Sequence, residues 1–229
     1  MSGRTGARLL RESSLGLSFL ALFLLTLAGH AWAGHARHDR EQVAAGLDPL
    51  RLGDYLTSSA FWVDVTENWQ SEFLQFLLFI TLTVWFVQRG SPESKPVGAA
   101  GRESDAEQQV GSHARADSPA WARAGGWRLA VFSRSLTLTM GAVFVGSWLA
   151  QVFTGAVAYS EEQLRGLQDP VTWTEYVLLP DFWDRTLQNW QSEMLAVLAM
   201  VVLSVYLRER GSPESKPVGQ PHDSTGVEG

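Results

Sequence analysis

The sequence predicts an all-α integral membrane protein with four transmembrane helices in two parallel two-helix repeats. Three observations carry that prediction. First, charge is segregated: Ser13–Gly34 and Ser135–Ser160 contain no Asp, Glu, Lys or Arg, and Phe73–Gln88 and Met194–Leu207 are shorter runs of the same kind. A soluble fold spreads its charges along amphipathic elements, whereas membrane spans push them into the loops. Second, a shift of 121 positions lays 61–98 on 182–219 with 21 of 38 residues identical and no gap. The same shift pairs Gly34 with Gly155 and Tyr55 with Tyr176. Third, Lys and Arg concentrate in alternate segments, as they do when those segments share the cytoplasmic side.

The elements follow in order. Repeat unit 1 is 1–98. Its basic start (Arg4, Arg8, Arg11) leads into span 1, about 14–33. An acidic loop follows, then span 2, about 68–87. A helix needs about 20 residues to cross the ~30 Å hydrocarbon layer, so span 2 must begin near Asn68 and draw Glu72 inside. A polar, Gly/Ala/Ser-rich cytoplasmic linker, 99–126, is expected to be flexible. Its end, "WARAGGWRLAVFSR", reads as a short interfacial helix. Repeat unit 2 is 127–219, with span 3 at about 136–158 and span 4 at about 188–207. Residues 220–229 read as a disordered tail.

Seven basic residues lie from Arg89 through Arg134, and Arg208, Arg210 and Lys216 follow span 4. The two intervening loops hold five basic and twelve acidic residues. Both termini are therefore expected in the cytoplasm. A rival reading takes the first 33 residues as a secretory signal ending in "AWA", which would leave three spans. The duplication argues against it, because span 3 occupies the matching place inside the chain.

Two features stand out as candidate sites. One is a polar face at the start of spans 2 and 4: Asn68, Gln70, Ser71 and Glu72, repeated as Asn189, Gln191, Ser192 and Glu193. Asn68, Ser71, Glu72 and Gln75 share one helical face. Either Glu72 and Glu193 are solvated in first helical turns, or they face one another at equal depth and mark an ion or proton route. Trp62, Trp69, Trp183 and Trp190 read as interfacial belt residues. The other feature is the decapeptide RGSPESKPVG, present at 89–98 and 210–219. Arg89 and Arg210 suit a helix C-terminus, Gly90 and Gly211 a C-cap, and Pro92 and Pro213 a stop. Arg89, Glu93, Lys95, Arg210, Glu214 and Lys216 together form a candidate interaction motif.

Several functions are excluded or set aside. The chain has no cysteine, so disulfides, thiolate metal sites and cysteine nucleophiles are absent. A net charge of −6 is no nucleic-acid footprint. No phosphate-binding glycine loop, nucleophile elbow or zinc-protease helix occurs, so neither an enzyme nor a cofactor is expected. His30, His35 and His38 read as solvated loop residues rather than metal ligands, and Gly141, Gly146 and Gly155 as allowing close helix packing.

The duplicated combination "FW…ENWQSEF…RGSPESKPVG" resembles a family of uncharacterised bacterial membrane proteins classed as a domain of unknown function. The resemblance covers most of the chain outside the linker and tail. It implies bacterial origin and an inner-membrane address, and it transfers no residue roles. The leading expectation is a lipid-embedded scaffold whose repeated cytoplasmic motifs bind a protein partner or a second copy of the chain. The alternative is a small ion, proton or solute channel or transporter using Glu72 and Glu193.

Overall fold

The structure is a computed structural model that describes residue 8 and residues 10–227. Arg4, and the last two residues of the expected tail, lie outside the described residues. The chain is helical, with no strand among the described residues. The helices are α1 (Ser14–Ala44), α2 (Leu52–Leu56), α3 (Ser59–Leu82), α4 (Ala120–Arg123), α5 (Gly126–Phe132), α6 (Ser135–Arg165), α7 (Trp173–Tyr176) and α8 (Pro180–Leu203), with one 3-10 turn at Gly111–His113. Among the described residues two helices are long and apolar enough to cross a membrane, α1 and α6. Each has 31 residues, and they start 121 positions apart.

Backbone contacts gather the chain into two compact units that interleave in sequence. One holds the residues up to Val65 with Thr154–Thr172; the other holds Thr66–Phe153 and the residues from Trp173 onward.

Helices α3 and α8, at the places of spans 2 and 4, differ from expectation at both ends. They begin at Ser59 and Pro180, eight residues before Asn68 and Gln188 or more. The start signals are local. The Phe61 amide donates to the Ser58 hydroxyl, an N-cap contact, and Pro180 sits in the first turn of α8, where its missing N–H costs nothing. Regular helix stops at Leu82 and Leu203. One more turn follows in each, closed by the Phe86 amide on the Leu82 carbonyl and the Leu207 amide on the Leu203 carbonyl, both at 2.8 Å. Gly90 and Gly211 are therefore not helix C-caps. They sit further on with φ of 86° and 84°, the left-handed region that glycine adopts without strain.

In the first unit, α1 runs straight through Gly34. His35 and His38 are thus helical, not solvated loop residues. His38 is buried with its ring 5.6 Å from Tyr55, and His35 Nε2 donates to the Leu50 carbonyl at 2.8 Å. Gly34 makes room for Tyr55, since a Cβ there would overlap the phenol oxygen. Among the described residues no group of three His, Cys, Asp or Glu is placed to hold a metal ion. Of the span 3 glycines, Gly141 has Leu77 side-chain carbons 3.7 Å from a built Cβ, while Gly146 faces open space.

The two "FW" segments build the same local corner. Trp62 Nε1 donates to the Leu56 carbonyl at 3.0 Å, and Trp183 Nε1 to the Val177 carbonyl at 2.9 Å. Phe61 and Phe182 are buried and pack edge-on to Tyr55 and Tyr176 respectively. Trp62 and Trp183 therefore tie the end of a short helix to a long one through the indole N–H.

Candidate functional site

The sequence-predicted polar face is rotated from the face the fold buries. Asn68 and Glu72 are exposed, as are Gln191 and Ser192. The inward residues of α3 are Glu67, Gln70, Ser71 and Leu74, all buried; their i, i+3, i+4, i+7 spacing puts them on one helical face. Gln70 has no accessible surface, and its Oε1 accepts from Trp190 Nε1 at 2.6 Å. Glu193 lies within electrostatic reach of Glu72 and bonds with the Ser71 hydroxyl. Trp69 is half-buried.

Around Gln70 the second unit assembles a polar cluster inside an aromatic shell. Glu67 accepts from Arg185 Nη1 at 3.2 Å and from Asn189 Nδ2 at 3.4 Å. Arg185 also meets Asp181 at 3.4 Å, and Asp181 accepts from the Tyr176 hydroxyl at 3.2 Å. From α6, Gln151 is wholly buried and its Nε2 donates to the Thr186 hydroxyl at 3.5 Å. Trp148, one turn earlier, packs on Trp190 at 5.7 Å and on Phe182 at 6.3 Å between ring centres. Within this cluster three buried polar atoms find no partner among the described residues: Gln70 Nε2, Trp148 Nε1 and Gln151 Oε1. Two are donors and one is an acceptor. Such groups are costly to leave unmet in an apolar surround.

Charge at the mouth of the cluster is tuned by its neighbours. Desolvation works against the Arg185 guanidinium, but the Glu67 and Asp181 carboxylates outweigh it and raise its pKa. Burial, and then Asp181, push the Tyr176 phenol well above its ordinary range. Glu67, Gln151, Thr186 and Arg185 were not singled out by sequence. Two signals were present. Gln151 is an amide within an uncharged 26-residue run, and the 121-residue shift sets Arg185 against Asp64, a reversal of charge at equivalent places.

The decapeptides are folded onto their own chain. Ser94 Oγ accepts from the Gln88 amide at 2.8 Å, and Ser215 Oγ from the Glu209 amide at 2.9 Å. The Glu93 and Glu214 amides donate to Ser91 and Ser212 hydroxyls, both at 3.2 Å. Lys95 Nζ donates to the Gly101 carbonyl at 2.6 Å and pairs with Glu103. Lys216 is buried; its Nζ donates to the carbonyls of Gly90, His222 and Ser224. Each lysine thus holds the carbonyl six residues ahead, and Lys216 reaches the other copy as well. Residues 220–227, expected as disordered tail, are held by these bonds and by Gly226 N on Ser91 O at 3.1 Å. Arg89, Arg210 and Glu214 are left exposed.

Fold and site together define a helical protein carrying two candidate membrane spans and a buried polar cluster. A model for a domain of unknown function, DUF6766, matches residues 6–227, and the chain belongs to that family. No curated protein and no solved structure matches it.

Proposed function

We propose that the chain is a four-span protein of the bacterial inner membrane, with both termini cytoplasmic, that takes up a proton or a small hydrogen-bonding solute at the Gln70–Gln151 cluster. In this reading α3 and α8 cross the membrane as α1 and α6 do. The observation that carries it is the complete burial of Gln70 and Gln151, each with one amide atom lacking a partner among the described residues. A plain anchor has no use for such groups, and polar residues inside spans ordinarily mark a solute or proton path. Glu67 and Arg185 form the entrance, with Glu72 and Glu193 at its flank. The reaction class is binding and movement, without covalent chemistry.

The test is uptake by proteoliposomes: an imposed pH gradient read by an internal dye, and osmotic swelling in urea or glycerol. Flux above that of empty vesicles, lost in Gln70→Leu/Gln151→Leu, supports the reading. Equal flux with and without protein in both assays defeats it.

The scaffold reading keeps one supporting observation. A cavity of about 380 Å³ lies against Pro92–Pro96 and a second of about 330 Å³ against Arg210, Gly211 and Lys216–Val218. Against it, both lysines of the motif are already engaged within the chain.

A further inference from the structure

The segment that enters α6 carries three arginines and no acid. From Ser118 to Ser160 there is no Asp or Glu, while Arg123, Arg128 and Arg134 punctuate the first part of that stretch. All three are exposed, and no carboxylate among the described residues pairs with them. Arg115, just upstream, is by contrast 3.6 Å from Asp117.

The local fold turns this segment into a surface. α4 and α5 are joined through Gly125 and Gly126, the latter at φ +66°. That left-handed step lets the chain double back, so Trp121 and Trp127 meet edge-to-face with ring centres 5.7 Å apart and planes at 77°. The Arg128 guanidinium lies 5.7 Å over the Trp127 ring. Trp127 is 66% exposed, and Val131 and Phe132 also stand open. α6 follows almost at once, its first turn taking in the Arg134 carbonyl, which accepts from the Leu138 amide at 2.8 Å.

An apolar–aromatic face studded with unneutralised arginines, placed directly at the end of a helix able to cross a bilayer, fits one kind of partner. Tryptophan rings settle at the headgroup level. Guanidinium forks bind phosphate oxygens two at a time, and basic residues beside a span are drawn to anionic lipid. We infer that Trp121, Arg123, Trp127, Arg128 and Arg134 form a docking surface for anionic phospholipid headgroups in the leaflet where α6 begins. This rests on the reading that α6 spans a membrane. An attraction of about 1 kcal/mol per basic residue, summed over three arginines, corresponds to a preference on the order of 100-fold.

The test uses the full chain in nanodiscs of phosphatidylcholine with or without phosphatidylglycerol, and counts retained lipids by native mass spectrometry. The expected result is retention of phosphatidylglycerol over phosphatidylcholine on the order of 100-fold. Arg123→Gln/Arg128→Gln/Arg134→Gln should abolish it. Arg123→Lys/Arg128→Lys/Arg134→Lys keeps the charge, and hence the topology, and should weaken retention several-fold by losing the fork. Equal retention of the two lipids by the wild type, or unchanged retention in the Gln triple variant, overturns the inference. So does displacement of the lipid by inorganic phosphate, which would make this a soluble-anion site. A chain that inserts into neither disc overturns the membrane reading and this inference together; one that inserts but shows no lipid preference overturns this inference alone.

Discussion

Arg185 and Glu67 meet at 3.2 Å but share their ion pair unequally: the Glu67 side chain is 9% exposed and the Arg185 side chain 41%. Removing one partner of a buried pair strands the other, and here the stranded group differs. Arg185→Gln leaves a carboxylate in the protein interior and should destabilise by about 3 kcal/mol. Glu67→Gln leaves a half-exposed guanidinium that keeps Asp181 at 3.4 Å, and should cost about 1 kcal/mol. Thermal unfolding in detergent, followed by helical circular dichroism, reads both. Equal losses would contradict the asymmetry.

Gly34 is required by Tyr55. Gly34→Ala drives a Cβ into the Tyr55 hydroxyl, an overpacking worth roughly 1–3 kcal/mol. That hydroxyl is buried and finds no partner among the described residues, so Tyr55→Phe by itself should change stability little. In the double variant the clash is gone, and most of the loss should return. A double-mutant cycle measures the coupling; additive losses would show that the hydroxyl is not what Gly34 accommodates.

The long helices α1 and α6 were legible because an uncharged run reports its own apolar character residue by residue. The start of α3 was less so. Membrane compatibility placed it near Asn68, while the capping contact at Ser58, like Pro180 at the start of α8, lies outside the apolar runs and governs the helix start instead. Of the buried face, Gln70 and Ser71 were legible and Glu67 was not, for a different reason. Periodicity groups Asn68, Ser71 and Glu72 on one face, yet which face packs inward depends on Trp190, Arg185 and Gln151, far away in sequence. The contacts of the RGSPESKPVG lysines were largely illegible because most of their partners are main-chain carbonyls, which leave no trace in side-chain identity.

Tyr176 makes stability depend on alkaline pH. Burial and the neighbouring Asp181 raise its pKa in the folded chain, so the folded state holds a proton that the unfolded chain gives up near pH ~10. The stabilising contribution is whole below that ordinary value and is lost as pH rises toward the folded one. Melting temperature should therefore fall more steeply above about pH 10 in the wild type than in Tyr176→Phe. Tyr55, raised by burial and then by Asp64, should act in the same direction in the other unit. Identical slopes for wild type and the Phe variant would remove Tyr176 from the alkaline response.

Lys216 explains why the decapeptide's second half is kept in both copies. Its ammonium is desolvated, which pulls its pKa below the usual lysine range, and it is satisfied by carbonyls from Gly90 and from the segment beyond Pro221. Lys95 performs the smaller version, holding Gly101 and Glu103. A partner-binding lysine would be exposed; this one is a fastener between the first copy and the C-terminal segment. Lys216→Met keeps the aliphatic stem and removes the donors. Allowing for the desolvation that the ammonium no longer suffers, the net loss should be about 2 kcal/mol. Hydrogen exchange should then speed up roughly 30-fold at Gly226 N, which bonds Ser91 O, and at Gly90 N, which bonds Thr225 Oγ1. Lys95→Met should leave those two amides protected and loosen the chain around Gly101 instead. If Lys216→Met leaves exchange at both amides unchanged, the tail is held by its other contacts and the lysine must be conserved between the copies for a different purpose.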